Sequence, residues 1–348
     1  MTTTTGTPPS SRGAARALLP APRAAEPEPT DLPSVTVVVP TVLRPSLARA
    51  VGSVRGQDYA GRVVVVVVVD RDRDTCTAAE LARTTGADEV LYTGGGRRAG
   101  HARNLGVQRA ATDLVALLDD DDAWLPGKLG LQVPLLLAQQ GAGPVVVTSR
   151  LVQSLSDGGP TSGPVPARLL APGEPVADYL FLRRRARADR PTIQTSTLLM
   201  TRATARALPW SESLPRHQDW DWLVAAQRAG VRVVPHPSVT VTYALGSPGS
   251  ISASPSWQDS LAWARGWRDR WSRRTYADFV CGQPLRYAVQ ARSWAGVRAC
   301  ARELLRTRRL PHTGPALFAA SAVLPRPLLE RALLSSARSS PTAAQAAA

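Results

Sequence analysis

Lysine is almost missing from this chain. Lys128 is the only one, although lysine and arginine together number 42. Nearly all the positive charge is therefore arginine, and with 27 acidic residues the formal charge is +15. A GC-rich coding sequence produces such an arginine-, alanine- and proline-rich composition without any function behind it. An excess of cations also attracts nucleotide phosphates, acidic lipid or nucleic acid. No nucleic acid is expected as a partner, because no helix-turn-helix, zinc-finger or RNA-recognition pattern occurs. Cysteine is scarce as well. Cys76, Cys281 and Cys300 are scattered and odd in number, which excludes a disulfide framework or zinc cluster and fits a reducing compartment. No apolar run approaches the ~18 residues of a membrane span, and the best late candidate, residues 315–324, is too short. Residues 1–32 lack the continuous apolar stretch of a signal peptide. Their early arginines, with no acid before Glu26, leave a transit peptide open, but their Thr, Pro, Ala and Ser content reads as a disordered tail. A cytoplasmic chain is expected, with peripheral association at the inner face of the plasma membrane as an extension of that reading.

Three familiar sites are also missing. There is no G-x-x-x-x-G-K-[ST] loop, no G-x-G-x-x-G after a strand and no G-x-S-x-G elbow. These absences argue against a P-loop NTPase, a dinucleotide-binding oxidoreductase and a serine hydrolase elbow.

What is present is alternation. Residues 35–39 form an apolar run ending in Pro40 and Thr41, and residues 63–69 are seven consecutive valines that stop at Asp70. A β-branched run apolar on both faces reads as a central parallel strand. Helical patterns at 46–57, 77–84 and 100–111 separate these from short strands at 89–92, 114–118 and 145–148. Crossover helices imply a parallel sheet covered on both faces, and ligands of such sheets bind beyond the carboxyl ends of the strands. Thr41, Asp70 and the run Asp119, Asp120, Asp121, Asp122 all fall at those ends. Residues 149–190 read as an irregular insertion carrying the basic cluster Arg183, Arg184, Arg185 and Arg187. A strand is expected at 195–200, a helix at 218–229 closed by Gly230, and short strands at 231–234 and 239–243. From Pro255 the pattern is helical, and Trp263, Trp267 and Trp271 recur every four residues as a core or docking stripe. The chain thus divides into a tail at 1–33, an α/β unit at 34–250, a helical extension at 251–334 and a second tail at 335–348.

Four adjacent carboxylates repel one another unless a cation or solvent intervenes. At a strand end they offer hard oxygen ligands for Mg²⁺ or Mn²⁺, which are commonly held by one or two carboxylates plus substrate phosphates. A solvated acidic loop is the plain alternative. Asp70 can accept from a base or ribose, or simply start a turn with Asp72 and Asp74. Arg103, in Gly100-His101-Ala102-Arg103-Asn104-Leu105-Gly106, can meet a phosphate as a two-pronged donor or pair with the acidic rim. Asp219 can cap the later helix or act as a general base toward a hydroxyl.

Taken in order, these pieces resemble the family 2 glycosyltransferases. Val37-Val38-Val39-Pro40-Thr41 with Arg44-Pro45 and Leu47 is similar to the opening strand and nucleotide loop. Ser53-Val54 with Gln57 resembles the end of the first helix, and Val68-Val69-Asp70 the strand whose aspartate contacts the base. Ala102-Arg103-Asn104-Leu105-Gly106 matches the helix before the metal site. Leu118 to Pro126, with Lys128-Leu129, matches the D-x-D segment, and Asp219 matches the aspartate of the Glu-Asp motif. The resemblance covers residues 35–243. Two positions depart from it: Arg71 replaces a second acid, and Gln218 replaces the glutamate.

The resemblance implies a GT-A-type, mostly parallel α/β sheet flanked by helices, with a C-terminal helical extension. It implies an inverting transfer from a nucleotide-sugar donor, UDP-linked by preference and GDP- or dTDP-linked otherwise, to a hydroxyl acceptor. Pro40, Thr41, Arg44, Asp70, Arg103, Asp119 and Asp120 are then expected at the nucleotide. Asp119 and Asp121 hold a divalent metal, Mn²⁺ or Mg²⁺, and Asp219 takes the acceptor proton. An ordinary aspartate pKa of ~3.9 keeps such a base ionised at neutral pH. A nucleotidyltransferase is disfavoured, because Pro40, Thr41 and Val42 stand where its glycine-rich basic loop belongs. A non-catalytic nucleotide- or glycan-binding relative is the other alternative, and the presence of Asp121 and Asp219 argues against it.

Overall fold

The computed structural model describes residues 1–2, 31–73, 77–155, 161–183, 191–246 and 256–323. Most of the expected N-terminal tail, all of the expected tail at 335–348, Asp74, Cys76, Arg184, Arg185 and Arg187 lie outside the described residues.

The chain opens with β1 (Val35–Thr41), α1 (Leu47–Arg55), β2 (Val63–Val69), α2 (Ala78–Thr85) and β3 (Glu89–Tyr92). There follow α3 (Arg98–Arg109), β4 (Leu114–Leu117), the short β5 (Ala123–Trp124), α4 (Lys128–Gln140) and β6 (Val145–Leu155). Helix α5 (Val176–Phe181) precedes β7 (Leu199–Thr201), α6 (Arg202–Ala207), α7 (Gln218–Arg228) and β8 (Arg232–Leu245). Helices α8 (Trp257–Trp267), α9 (Arg273–Val280), α10 (Arg286–Gln290), α11 (Trp294–Thr307) and α12 (Thr313–Ala320) complete it.

The strands form one eight-stranded sheet in the order β3-β2-β1-β4-β7-β6-β8-β5. Strands β3, β2, β1 and β4 are mutually parallel, β7 enters antiparallel, and β6 and β8 run parallel to each other. The valine run lies inside this sheet, as its two apolar faces require. Val65, Val67 and Val69 join Val35, Val37 and Val39 in the core on one face, whereas Val66 and Val68 join Val38 on the other. That second core continues without a break into Trp263, Tyr276, Phe279 and Cys300 of the C-terminal helices.

Three segments differ from the sequence expectation. The stretch 149–190 is more regular than its glycines and prolines imply: β6 runs on to Leu155, and α5 lies within the stretch. The strand expected at 195–200 is a single 3₁₀ turn, Thr195–Thr197, followed by β7. Thr197 donates its N–H and hydroxyl to the Gln194 carbonyl, a local bond that competes with the ladder. The two short strands at 231–234 and 239–243 are one strand, β8, because a bulge opposite Ser149 and Arg150 absorbs Pro237 and Ser238.

Helix α3 lies against β1 at Gly106, where an added Cβ would stand 2.3 Å from Val38 Cγ1. Gly106→Ala is expected to destabilise the fold by about 1–3 kcal/mol despite alanine's better helix propensity. Urea unfolding measures this, and Val38→Ala in the same chain should recover part of the loss. A more stable Gly106→Ala protein would show that the helix can lift away freely.

Candidate active site

The cleft begins with a missing donor. The Val38 carbonyl accepts from Leu118 N–H, so alternation along β1 turns Pro40 toward the same β4 side. Strand β4 ends at Leu117, level with Val38, and proline has no N–H to offer a longer neighbour. The sheet therefore parts between β1 and β4 at its carboxyl edge, where the strand order switches sides: β2 and β3 lie on one side of β1 and β4 on the other. Open α/β sheets bind ligands at such a point.

The four aspartates fill this opening with alternating roles. Asp120 and Asp122 are buried, whereas Asp119 and Asp121 are partly exposed. Asp120 accepts from Thr41 Oγ1 at 2.5 Å and from the Arg44 guanidinium at 2.5 Å. Arg49 fixes the loop by donating to the Asp121 carbonyl at 2.5 Å. Asp122 accepts from Ser196 Oγ at 2.6 Å and from Ala244 N–H at 2.9 Å. Its burial, together with the charges of Asp119 and Asp121, pushes its carboxyl well above the usual range. Thr41, Arg44 and Asp120, all expected at the nucleotide, thus bind one another and shape the loop from beneath. Pro40 is buried beside them.

Ser196 also receives the Asp119 N–H at 3.1 Å, and its carbonyl accepts from Trp124 Nε1 at 2.9 Å. The 3₁₀ turn at Thr195–Thr197 is consequently the floor of the aspartate loop. The chain's one lysine secures that floor. Lys128 is fully buried, lies 4.8 Å from the Trp124 ring centre, and donates to Gln132 and, at 3.1 Å, to the Thr197 carbonyl. Burial pushes its amine well below the usual lysine range. Gln57 ties α1 to the same segment, donating to the Leu125 carbonyl at 2.8 Å and accepting from Leu129 N–H at 3.1 Å.

Arg103 is the bridge across the cleft. It donates to Asp119 Oδ1 at 2.6 Å and to Gln218 Oε1 at 3.2 Å, with its guanidinium 4.7 Å from the Trp210 ring centre. The pairing with the acidic rim, one of its two expected roles, is therefore present. Asn104 clamps the chain leading to α7, exchanging bonds with Trp210 and donating to Glu212 at 2.9 Å. His101, which had no partner legible in the sequence, pairs with the same Glu212 at 2.9 Å.

Asp219 sits in the first turn of α7. The cap position is His217, whose φ is +61°, so Asp219 is not the cap. No described side chain hydrogen-bonds the Asp219 carboxylate. Burial raises its pKa to about 6; Asp119 adds to the rise, while nearby backbone N–H groups and Arg103 oppose it. The ordinary value assumed from sequence is thereby corrected, yet about ten in eleven such groups remain ionised one unit higher, near pH 7. His217 is buried between Ser260, at 2.8 Å, and the stacked Trp220 ring, and burial lowers its pKa to about 3. It stays neutral. The tryptophan stripe docks α8 on α7: Trp263 and Trp267 both donate to Asp221, at 2.8 and 3.3 Å.

Asp70 lies at the same sheet edge, but its carboxylate is used within the protein. It accepts from Thr93 Oγ1 at 2.5 Å and from Arg97 and Arg98 N–H at 2.8 and 2.7 Å, anchoring the start of α3. Four residues of the site carried no individual assignment in the sequence: Asp122, Ser196, Trp210 and Tyr243. Asp122 was visible only as one of four acids, and Ser196 gave no signal at all. Tyr243, on β8, feels the charges of Asp122, Asp121, Asp219 and Asp119, and burial pushes its phenol well above the usual range.

Among the described residues, no group of three His, Cys, Asp or Glu forms a ready-made metal cage. A magnesium-like ion needs none, because one or two carboxylates plus substrate phosphates suffice. Asp119 and Asp121 are the two partly exposed acids of the loop; Asp119 Oδ1 accepts from Arg103, and Asp121 Oδ2 stands 3.8 Å from the Arg44 guanidinium.

This site and fold match known proteins. The family model described as Glycosyltransferase like family 2 covers residues 33–266. The chain belongs to glycosyltransferase family 2. It is 28% identical over 258 residues to the amylovoran biosynthesis glycosyltransferase AmsB of Erwinia amylovora, covering 70% of this chain and 81% of that protein. S. aureus TarS 1-349, solved in complex with UDP-GlcNAc, shares the fold at a TM-score of 0.51 and 14% identity, covering 88% of this chain and 89% of that one. A longer TarS structure matches with a TM-score of 0.51 and 14% identity over 87% of this chain, which spans 55% of it. The family 2 chain described here is a glycosyltransferase of the GT-A type.

The Asp219 carboxyl titrates near 6 in the fold and at about 3.9 in an unfolded chain. The folded state holds that proton more tightly, so this group favours folding below about pH 4 and ceases to as pH climbs through about 6. Asp219→Asn cannot ionise and escapes the loss. Its unfolding free energy, relative to the parent, should rise by about 2 kcal/mol between about pH 4 and about pH 7.5. A pH-independent difference would contradict the burial assigned to this carboxylate.

Proposed function

We propose that this glycosyltransferase moves a sugar with inversion from a nucleoside-diphosphate donor to a hydroxyl acceptor. The observation that carries the reading is the pairing, across one cleft, of an aspartate loop with two partly exposed acids and a carboxylate, Asp219, free of side-chain donors. The acceptor hydroxyl gives its proton to Asp219 as its oxygen bonds the anomeric carbon, and the bond from that carbon to the diphosphate oxygen breaks. Arg103 holds Asp119 and the start of α7 at a fixed separation, which keeps the reactants in line. Asp119 and Asp121 hold the divalent ion, Mn²⁺ or Mg²⁺, which when bound neutralises negative charge on the diphosphate. Asp70 keeps the Gly94-Gly95-Gly96 loop beside the base, and Oδ2, with one internal donor, has a lone pair left for the nucleotide.

A uridine donor is favoured, with GDP- or dTDP-linked sugars as alternatives; a chain of this fold holding UDP-GlcNAc supports the choice. The name of AmsB supports a role in polysaccharide synthesis, with glycolipid or natural-product glycoside synthesis as the alternatives. Residues 34–250 are read as the transferase domain and 251–334 as a helical extension, of which the described part, 256–323, shares a core with the sheet. No described helix is long and apolar enough to cross a membrane. The cytoplasmic face of the plasma membrane, approached peripherally, is the proposed place of work.

Thermal unfolding with UDP, GDP or dTDP, each with and without Mn²⁺, tests the donor site. One nucleotide at 100 times its Kd should add about 2.7 kcal/mol, only with the cation, and Asp121→Ala should abolish that increment. A folded protein that no nucleotide stabilises would refute the reading. For the stereochemistry, proton NMR of the first-formed product should show the anomeric configuration opposite to the donor's.

A further inference from the structure

The outer surface of the C-terminal helices carries a second feature that the transfer reaction does not use. Apart from Met1, the three most exposed large apolar side chains among the described residues are Leu310, Trp294 and Leu305, at 81%, 78% and 77%. All three lie on α11 or just beyond it. Helix α11 has two stripes of the same spacing. Gly296, Cys300, Glu303 and Thr307 are buried, and Trp294, Arg298, Ala301, Arg302 and Leu305 are exposed.

The inward stripe is fixed tightly. A Cβ on Gly296 would stand 2.7 Å from Ala288 Cβ and 2.8 Å from the Trp257 ring. Glu303 is completely buried and accepts from Arg265, Arg268 and Arg306 at 3.0, 2.5 and 3.1 Å, and from Tyr276 at 3.2 Å. Rotating α11 to hide its tryptophan would tear that carboxylate from its donors, so Trp294 and Leu305 are held toward solvent. Arg298, Arg302, Arg308 and Arg309 make no side-chain ion pair among the described residues. Glu303, the only acid on the helix, is turned inward.

We infer that this face of α11 docks the enzyme on an anionic lipid bilayer. An apolar stripe of tryptophan and leucine flanked by arginines matches a helix lying in the interface, with the rings at headgroup level and the guanidinium groups on lipid phosphates. Self-association through this face would set unpaired arginines of two copies against each other. Charge complementarity instead selects a surface that is negative and has an apolar layer beneath. The inference deepens the proposed peripheral placement, but its test does not depend on catalysis.

The full chain should be sedimented with vesicles of phosphatidylcholine, alone or mixed with phosphatidylglycerol. Pelleting is expected only with the anionic vesicles. The exposed double change Trp294→Ser with Leu305→Ser should abolish it. Arg298→Gln with Arg302→Gln should weaken it about thirtyfold, from roughly 1 kcal/mol per arginine. Both variants should release UDP from donor, and transfer to a water-soluble acceptor, at the parent rate. Equal pelleting of parent and variants, binding to neutral vesicles alike, or binding to duplex DNA but not to vesicles would each overturn the inference. A parent chain that pellets with the anionic vesicles but transfers no sugar from any nucleotide-linked donor would uphold the docking and tell against the proposed reaction.

Discussion

The guanidinium of Arg103 stands between a carboxylate of the aspartate loop and the first residue of the helix that carries Asp219, and the shape of the cleft depends on that bridge. A buried cation is costly unless it is paired and hydrogen-bonded. Arg103 meets the cost with Asp119, the Gln218 side-chain Oε1 and the Trp210 ring, although its buried Nε finds no partner among the described residues. With Gln218 in place of the family's glutamate, Asp119 is the only carboxylate among the described residues that hydrogen-bonds it. Its positive field near Asp219 partly offsets the burial that raises that carboxyl. One side chain therefore holds a separation and, after the Trp220 N–H, helps to restrain the rise of the Asp219 carboxyl.

Around that bridge, adjacent acids divide the work by burial. Asp120 and Asp122 are consumed by Thr41, Arg44, Ser196 and Ala244, and they hold the loop in place. Asp119 and Asp121 stay partly exposed, and it is there that the proposed divalent ion and diphosphate would meet the loop. Asp120 is paired with Arg44, whereas Asp122 has no cation among the described residues and its carboxyl is driven well above its normal range by burial and by Asp119 and Asp121. Lys128 completes the support as an amine among apolar and amide groups, far from the surface role its charge would imply.

Much of this was legible in the residues. Seven consecutive valines ending at an aspartate could only be an inner strand, and carboxylates following buried strands could only gather at one rim. The ordered motifs therefore located Asp119, Asp121, Arg103 and Asp219 before any coordinates. What was not legible is what long-range contacts decide. Ser196 lies in a run whose composition reads as strand, and only the return of that run beneath the loop turns it into a hydrogen-bond hub. The two prolines of β8 hid its continuity, because a bulge is a property of the paired strand. Asp219 read as an ordinary acid, since burial by a tertiary fold leaves no mark in local sequence. The tryptophan stripe read as a core or docking stripe; two of its indoles are also donors to Asp221.

Asp219, partly desolvated and near the Arg103 cation, is the base proposed to accept the acceptor's proton. The pH dependence of kcat/KM tests it most directly. The acid limb should fall with an apparent pKa of about 6, and Arg103→Met should move that limb upward, because the cation favouring the carboxylate is gone. A limb near 4, or one that Arg103→Met leaves in place, would contradict the account.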